Sequence, residues 1–396
     1  MVGALEGLRV LDLSRVLAGP YCTMMLGDMG AEVIKIEQPG IGDETRRWGP
    51  PWAGGQSAYY LAVNRNKKSL TLNIRDPRGK EILRSLVCRS DVVVENFKAG
   101  ALNHLGIGYD ELSADNPGLV WCSITGYGSD GPYAGRPGYD FIAQGEAGIM
   151  SITGEPDGEP MKVGVAIVDV TAGLFAHGAI LAALLAKTRN GIGQKIDVSL
   201  LSSAVAWLAN VGSSYLISGE QPKRYGNAHP SIVPYQAFRV RDMWINVAAG
   251  NDRQFQALCQ VLEVDHLATD RRFLTNPDRV VNREELIPLL EDVLSRRDAD
   301  NWLGEMGAAG IPCGPINSLD RVFRHPQVLH RNMVAALNHP TAGSIKVVGS
   351  PVLLSETPPS VRSHPPLLGE HTDDVLRELV GLGPDEIAGL RVAEVV

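Results

Sequence analysis

The sequence lacks the cysteine patterns of a disulfide framework or a zinc site. Its five cysteines are scattered, and none forms a C-x-x-C pair. Scattered cysteines are typical of a reducing compartment. Strand-like sequence begins at residue 8, which leaves no room for a leader segment. We therefore expect a cytoplasmic protein, or a mitochondrial matrix protein if a presequence had been removed.

Blocks of like charge are also missing. The net charge is −8 and no polybasic run occurs, which argues against a nucleic-acid or membrane partner. The most apolar stretch, 171–187, is short for a membrane span and contains His177, so we expect a buried helix. The nine histidines show no ligand spacing, so we expect no metal.

One run matches the residues of a nucleotide-binding motif, but the segment that follows it does not have the structure that the motif requires. The run 126–131 reads G-Y-G-S-D-G and follows a predicted strand. The dinucleotide motif needs a helix directly after it, to place the helix N-terminus at the pyrophosphate. Pro132, Gly135, Pro137 and Gly138 follow instead. The run is therefore interpreted as a glycine-rich loop.

The first 200 residues alternate between two hydrophobic periods. We predict strands at 8–13, 32–37, 68–74, 91–95, 119–125 and 195–199, and helices at 19–30, 76–90, 98–106, 171–187 and 200–218. Strands that alternate with helices indicate a mostly parallel sheet covered on both faces. The predicted fold class is therefore α/β.

After residue 218 the pattern changes to α+β. A hairpin is predicted at 235–249, helices at 252–262, 282–297 and 300–309, and a return linker at 310–317. The segments 346–354 and 372–382 are expected to rejoin the first domain. We predict a large domain from 1–218 and 331–396, and a smaller α+β domain with its linkers at 219–330.

Asp169 stands in an apolar run at the start of the long predicted helix. Burying an unpaired charge is costly, so an acid at this apolar position must have a structural or functional role. One such role is a helix cap, since Asp accepts backbone N–H bonds and favours the positive end of the helix dipole. The other is a carboxylate nucleophile kept away from water. Composition and spacing alone favour the cap.

Two loops have the composition of binding segments. The run 64–69 is basic and precedes a strand, so it is either a solvated turn or one wall of a phosphate site. The run 42–52 combines arginines with tryptophans. Loops that carry these residues more often bind a ligand or partner than stabilise the fold.

These segments, taken together and in order, resemble the family III CoA-transferases, also called the CaiB/BaiF family. The likeness covers essentially the whole chain. The segments that share it are 5–13, Ala18-Gly19-Pro20, 27–37, 64–69, 94–97, Gly126-Tyr127-Gly128, Gly138-Tyr139-Asp140, Asp169, 310–315 and 365–372. Within the family, 231–238 and Gly250-Asn251 are most similar to members that use succinyl-CoA and a dicarboxylate such as glutarate.

The resemblance implies a fold and a chemistry. The fold is a Rossmann-like large domain with a smaller domain, in an interlocked homodimer. The chemistry moves CoA from an acyl-CoA donor to a carboxylic acid through an aspartyl-CoA thioester on Asp169, with no metal and no permanently bound cofactor. Covalent catalysis divides one difficult step into easier ones.

The resemblance also implies site residues. The positions expected to contact CoA are Val16, Leu17, Gln38, Leu72, Asn73, Ile74, Arg75, Asn96, Phe97, Lys98 and His104. The positions expected at the acyl substrate are Trp48, Tyr59, Tyr139 and Asp140. Arg15 and Arg46 are also expected there, because the far carboxylate of a dicarboxylate needs a cation and arginine binds carboxylates well. Gln38 and His104 replace arginines of formyl-CoA transferases, so Lys98, Arg75 or Lys67 is expected to meet the phosphates.

Two other functions stay open at this point. The family includes 2-methylacyl-CoA racemases, whose catalytic histidine falls at Tyr139 here. A neutral tyrosine, with a pKa of about 10, is a poor base at pH 7, which argues against racemase or epimerase activity. The third alternative is a CoA-binding protein without turnover.

Overall fold

The computed structural model describes residues 2–396 and divides them into two compact units. The first contains residues 2–149, 163–218 and 326–396. The second contains residues 150–162 and 219–325. The first unit has a buried hydrophobic cluster on each face of its main sheet, and the second unit has a cluster of its own.

The chain forms thirteen strands and nineteen helices within the described residues. The strands are β1 Arg9–Asp12, β2 Glu32–Glu37, β3 Trp52–Ala53, β4 Gln56–Ser57, β5 Lys67–Thr71, β6 Val92–Glu95, β7 Val120–Thr125, β8 Lys195–Ser199, β9 Tyr235–Arg239, β10 Trp244–Ala248, β11 Cys313–Pro315, β12 Val334–His339 and β13 Gly343–Val348. The helices are α1 Ala18–Asp28, α2 Ala58–Val63, α3 Pro77–Val87, α4 Ala101–His104, α5 Tyr109–Ser113, α6 Asp140–Glu146, α7 Ile149–Ile152, α8 Ile167–Asn190, α9 Leu200–Ala206, α10 Ala209–Ser218, α11 Asp252–Val261, α12 Asp265–Thr269, α13 Asn276–Val281, α14 Arg283–Leu294, α15 Ala299–Ala308, α16 Leu319–Val322, α17 Pro326–His330, α18 Thr372–Val375 and α19 Pro384–Val392. A 3-10 turn lies at Glu44–Arg47 and a π turn at Leu376–Val380.

The first unit is organised by a six-stranded sheet in the order β5-β2-β1-β6-β7-β8, and every pairing in it is parallel. Both faces are buried. Val92 and Val94 pack with α1 and α8 on one face, whereas Val93 packs with α3 on the other. Parallel sheets need this double cover, so the α/β prediction is confirmed.

The carboxyl ends of the six parallel strands share one edge of the sheet. The loops that leave this edge are 13–17 after β1, 38–43 after β2, 72–75 after β5, 96–99 after β6 and 126–139 after β7. In open α/β sheets, ligands bind outside the carboxyl ends of the strands. The loop 126–139 opens no helix before Asp140, which confirms that the glycine-rich run is not a dinucleotide motif.

Helix α8 is the longest in the described residues and extends beyond the predicted 171–187 at both ends. It has 24 residues and is long and apolar enough to cross a membrane, and 44% of its most apolar stretch is buried. One such helix is weak support for a membrane segment, since the core helix of a soluble protein can have the same length and composition. The predicted helix at 200–218 is two helices, α9 and α10, bent by 77°. Ala209 at the bend has a positive φ of 37°, which no continuous α-helix allows.

The second unit is built on an antiparallel sheet in the order β11-β10-β9. The predicted hairpin supplies β9 and β10, and α11, α14 and α15 cover the sheet with apolar side chains. The prediction of a linker at 310–317 is wrong at its centre, because Cys313–Pro315 forms the strand β11. Gly314 and Pro315 are poor strand formers, and the pairing with β10 overrides their local preference.

Candidate active site

Asp169 lies in the first turn of α8. The helix begins at Ile167, and its N-cap residue, Ala166, makes no side-chain hydrogen bond to the free N–H groups. Asp140, at the start of α6, instead accepts a hydrogen bond from the Val168 N–H at 2.7 Å and from the Asp169 N–H at 3.3 Å. Asp140 therefore caps the helix, and the interpretation of Asp169 as the cap is wrong.

The Asp169 carboxylate is half-buried and uncompensated. Burial raises its pKa, and the nearby charge of Asp140 raises it further, to about 7. Among residues 2–396, no cation or hydrogen-bond donor lowers this pKa. A poorly solvated carboxylate of this kind is a better nucleophile than one that is paired or hydrated.

Two cavities follow the carboxyl edge of the sheet. The smaller, of about 230 Å³, contains Asp169 together with the expected site residues Val16, Leu17, Asn96, Lys98 and Tyr139. The larger, of about 560 Å³, contains the expected CoA residues Gln38, Leu72, Asn73, Ile74 and Arg75. His104 lines neither cavity, and its Nδ1 lies 2.6 Å from the Gly100 carbonyl oxygen.

Three residues line both cavities: Arg15, Glu44 and Phe97. Arg15 forms an ion pair with Glu44 at 2.9 Å, and its guanidinium lies 5.2 Å from the centre of the Phe97 ring. Because these residues belong to both linings, the two cavities adjoin here. Asp169 belongs to the smaller cavity.

Trp48 and Tyr59 belong to neither lining. Their rings make an edge-on contact at 5.2 Å. Burial raises the pKa of Tyr59, and the charges of Asp169 and Asp140 raise it further, to about 12. The Tyr59 phenol therefore stays protonated at neutral pH.

Arg46 and Lys67 are engaged in structural ion pairs. Arg46 donates to both carboxylate oxygens of Glu37, at 2.8 and 2.7 Å, and also to the Tyr60 hydroxyl. Lys67 is fully buried and pairs with Asp12 at 2.9 Å. Neither cation lines the cavities, so neither is free to meet a ligand in them.

A third buried pair supports the loop next to Asp169. Lys35 and Asp43 pair at 2.9 Å with fully buried side chains, and Lys35 also donates to the Ser14 carbonyl at 2.8 Å. Asp43 accepts from the Val16 N–H at 3.3 Å. Val16 has a φ of +69°, a strained conformation for a β-branched residue. The Lys35–Asp43 pair therefore holds a strained residue that lines the Asp169 cavity.

Several residues that line the cavities escaped the sequence analysis, and two charged ones among them lie in the Asp169 cavity. Arg136 lines the Asp169 cavity, and Glu44 lines both cavities. Glu44 stands inside the Arg- and Trp-bearing run, but nothing in that run singles out an acid. Arg136 follows the glycine-rich loop as its first cation, and that position was the one signal available.

Within residues 2–396 no group of three or more His, Cys, Asp or Glu side chains could hold a metal ion. The five cysteines are free. A carboxylate without a counter-charge in the lining of a cavity is a candidate nucleophile.

Comparison with known proteins gives the family. The model of CoA-transferase family III matches residues 5–372, so the chain belongs to this family. The predicted family and class of enzyme, a CoA-transferase that acts on CoA thioesters, are confirmed.

Individual relatives agree over nearly the whole chain. The Homo sapiens protein named succinyl-CoA:glutarate CoA-transferase is 47% identical, over 99% of this chain and 90% of the relative. The Agrobacterium fabrum protein named succinate–glutarate CoA-transferase is 45% identical, over 95% of both chains. The crystal structure of a CaiB/BaiF family protein from Brucella suis matches with a TM-score of 0.88 and 45% identity, over 96% of this chain and 100% of that one. This structural match confirms the predicted fold.

Proposed function

We propose that this protein transfers CoA from succinyl-CoA to a dicarboxylate such as glutarate, with Asp169 as the nucleophile. The observation that supports this most is the uncompensated Asp169 carboxylate in a cavity that adjoins a larger one. The substrates are taken from the names of the human and Agrobacterium fabrum relatives.

The reaction balances without a cofactor or a proton. The Asp169 carboxylate attacks the thioester carbonyl carbon of the donor, the C–S bond breaks and CoA thiolate leaves. The thiolate attacks the aspartyl carbonyl of the resulting anhydride and releases the donor acid. The acceptor carboxylate attacks the aspartyl thioester and again expels the thiolate. The thiolate attacks the acceptor's carbonyl carbon, which gives the new acyl-CoA and free Asp169.

The surroundings of Asp169 suit this sequence of steps. Its pKa of about 7 keeps it ionised in mildly alkaline solution, while burial leaves the charge poorly solvated and reactive. Tyr59 keeps its proton because its pKa is about 12, so its O–H is a hydrogen-bond donor near the carboxylates. Partial burial also limits access of the water that would hydrolyse the anhydride or the thioester.

CoA is proposed to occupy the two adjoining cavities. The larger cavity has room for the nucleotide and offers Arg75 as a cation and Gln38 as a neutral donor. The pantetheine arm would pass Arg15 and Phe97, where the cavities meet, and reach Asp169. Lys98 lines the Asp169 cavity and is the second cation in the predicted CoA set. Arg75 is therefore preferred to Lys67 as a phosphate contact in the larger cavity, and Lys98 is available to CoA in the Asp169 cavity.

The homodimer is part of the proposal. Helix α10 has no buried residue, and its Leu216 and Ile217 are 82% and 87% exposed in the single chain. Large apolar side chains in a row indicate a surface that another protein covers, and a second copy of this chain is the proposed partner. A cytoplasmic location is retained as well, since five free thiols suit a reducing compartment.

The test replaces Asp169 with Asn and with Ala and measures CoA transfer from succinyl-CoA to glutarate. Loss of a covalent nucleophile is expected to lower kcat by more than about 10³-fold, as removal of such groups does in other enzymes. The matched control is Asp157→Asn, an exposed carboxylate of the second unit, which should keep full activity. Transfer by Asp169→Ala at a tenth of the normal rate would contradict the mechanism.

A further inference from the structure

The cations at the Asp169 cavity differ in what already holds them. Three line it: Arg15, Lys98 and Arg136. Arg15 is paired with Glu44 and also lines the larger cavity, so it lies on the side where the CoA arm would enter. Lys98 forms no ion pair within residues 2–396, but its ammonium lacks the planar fork that binds a carboxylate with two hydrogen bonds, and it also lines a small pocket next to the end of β6. Arg136 lines the Asp169 cavity, is absent from the linings of the larger cavity and the small pocket, and forms no ion pair within residues 2–396.

Aromatic stacking orients the Arg136 guanidinium. It lies 3.7 Å from the centre of the Tyr133 ring, and the Tyr133 ring is in edge-on contact with Tyr127 at 5.7 Å. The Arg136 N–H donates to the Tyr133 carbonyl at 2.9 Å, which closes the turn between them. Stacking uses the face of the guanidinium and leaves its N–H edge for a planar partner. Carboxylates bind this edge through two parallel hydrogen bonds.

The loop that bears Arg136 is tied to the end of β7. Gly138 lies so close to Gly126 that a Cβ on Gly138 would be 2.3 Å from the Gly126 Cα. A side chain at either position would force the two backbone segments apart. The glycines therefore allow the close approach that keeps Arg136 at the Asp169 cavity, two residues from the anchor point.

We infer that Arg136 binds the distal carboxylate of the dicarboxylate, the one that does not react with CoA. The inference rests on the proposed function and adds the residue that selects diacids over monoacids. Arg15 is occupied by Glu44 on the CoA side, and Arg46 is buried against Glu37. Arg136 combines a place in the Asp169 cavity, freedom from an ion pair and a fixed orientation. It is a specificity residue, since it would contact a part of the substrate that does not react.

The experiment compares two acceptors of equal length, glutarate and pentanoate, with saturating succinyl-CoA. Arg136→Gln is expected to raise KM for glutarate by about tenfold to hundredfold, since a lost hydrogen bond to a charged group has this effect. The KM for pentanoate should change less than about twofold. Where pentanoate turns over too slowly, its inhibition constant against glutarate replaces KM. Arg136→Lys, which keeps the charge and loses the two-pronged geometry, should fall between.

The matched control is Arg15→Gln at the junction of the cavities. This variant is expected to alter the KM for succinyl-CoA. It should leave the ratio of the KM for glutarate to the KM for pentanoate unchanged. A selective loss of glutarate in Arg15→Gln, or an equal loss of both acceptors in Arg136→Gln, would overturn the inference. If the unsubstituted protein does not prefer glutarate over pentanoate, the dicarboxylate part of the proposed function fails instead. Because Arg136 is exposed, Arg136→Gln and Arg136→Lys should unfold at the same temperature as the parent protein. Thermal unfolding checks this.

Discussion

Buried charge in the first unit is treated in two opposite ways. Under the carboxyl ends of β1 and β2, each buried carboxylate has its own cation. The pairs are Asp12 with Lys67, Glu37 with Arg46, and Asp43 with Lys35. At the start of α8, the charged neighbour of Asp169 is another carboxylate, Asp140.

The pKa values express the same contrast. Burial alone would raise the pKa of Asp12, but the charges of Lys67 and Lys35 and two hydroxyl hydrogen bonds lower it to about 2. Burial raises the pKa of Asp169 without any opposing cation, and Asp140 adds to it, giving about 7.

Glu95, at the end of β6, is also buried without an ion pair among residues 2–396, and burial raises its pKa, but it accepts a hydrogen bond from the Phe97 N–H at 2.8 Å. Asp169 differs because neither a cation nor a hydrogen-bond donor in the described part of the chain opposes its burial. Burial therefore does not mark the functional group, whereas the lack of any compensating contact does.

The largest expected effect comes from breaking a compensated pair. Lys35→Met leaves Asp43 buried without its cation, and removal of one partner of a buried pair costs about 3–5 kcal/mol of unfolding free energy. The strained Val16 would lose its support at the same time. Denaturant unfolding measures the loss.

The matched control for Lys35 is its counterpart on the neighbouring strand. Lys68 pairs with Glu32 at 2.7 Å, but the two side chains are 35% and 31% exposed. Lys68→Met should therefore cost under about 1 kcal/mol. Equal losses in the two variants would show that burial of the Lys35–Asp43 pair does not decide the stability of this region.

A smaller effect of opposite sign is expected at Asp169. Its pKa rises from an ordinary 3.8 to about 7, so folding costs free energy that builds up as the pH rises from about 4 and is complete above 7. A difference of about three pH units corresponds to about 4 kcal/mol. Partial exposure reduces this, so Asp169→Asn should stabilise the protein by about 1–3 kcal/mol at pH 8.

The pH dependence tests this prediction. The gain from Asp169→Asn should shrink as the pH falls toward 4, where the native carboxyl of the parent is protonated. Urea unfolding of both proteins at pH 8 and pH 5 measures the two gains. Asp157→Asn, at an exposed position, should change stability by less than about 0.5 kcal/mol at either pH. A destabilised Asp169→Asn at pH 8 would show that the carboxylate is compensated after all.

The sequence predicts the regular elements well because the hydrophobic period is a local signal. The buried strand β6 and the start of α3, where Asp76 caps the helix and accepts from the Arg78 N–H, both follow from neighbouring residues. The strand β11 could not be predicted, because its three residues pair with a strand more than sixty positions earlier. The bend at Ala209 is equally invisible to a periodic pattern.

The candidate site also has features that neighbouring residues predict and features that depend on residues distant in sequence. Asp169 was predicted from an acid in an apolar run, together with the family resemblance. The roles of the arginines were harder to predict. The sequence around an arginine in a loop does not show whether its side chain binds a ligand or pairs with an acidic residue of the same protein. Arg46 has Glu37 as its partner, nine positions earlier in sequence and on another element. Only the fold shows that Arg46 is paired with Glu37, whereas Arg136 forms no ion pair within residues 2–396.

The central claim, that the uncompensated carboxylate is the nucleophile, is tested most directly by trapping. The protein is incubated with succinyl-CoA, treated with hydroxylamine and digested, and the peptides are weighed by mass spectrometry. The account predicts a hydroxamate on the peptide that contains Asp169 and none on the peptide that contains the compensated Asp12. A hydroxamate on any other residue, or none while CoA transfer continues, would contradict it.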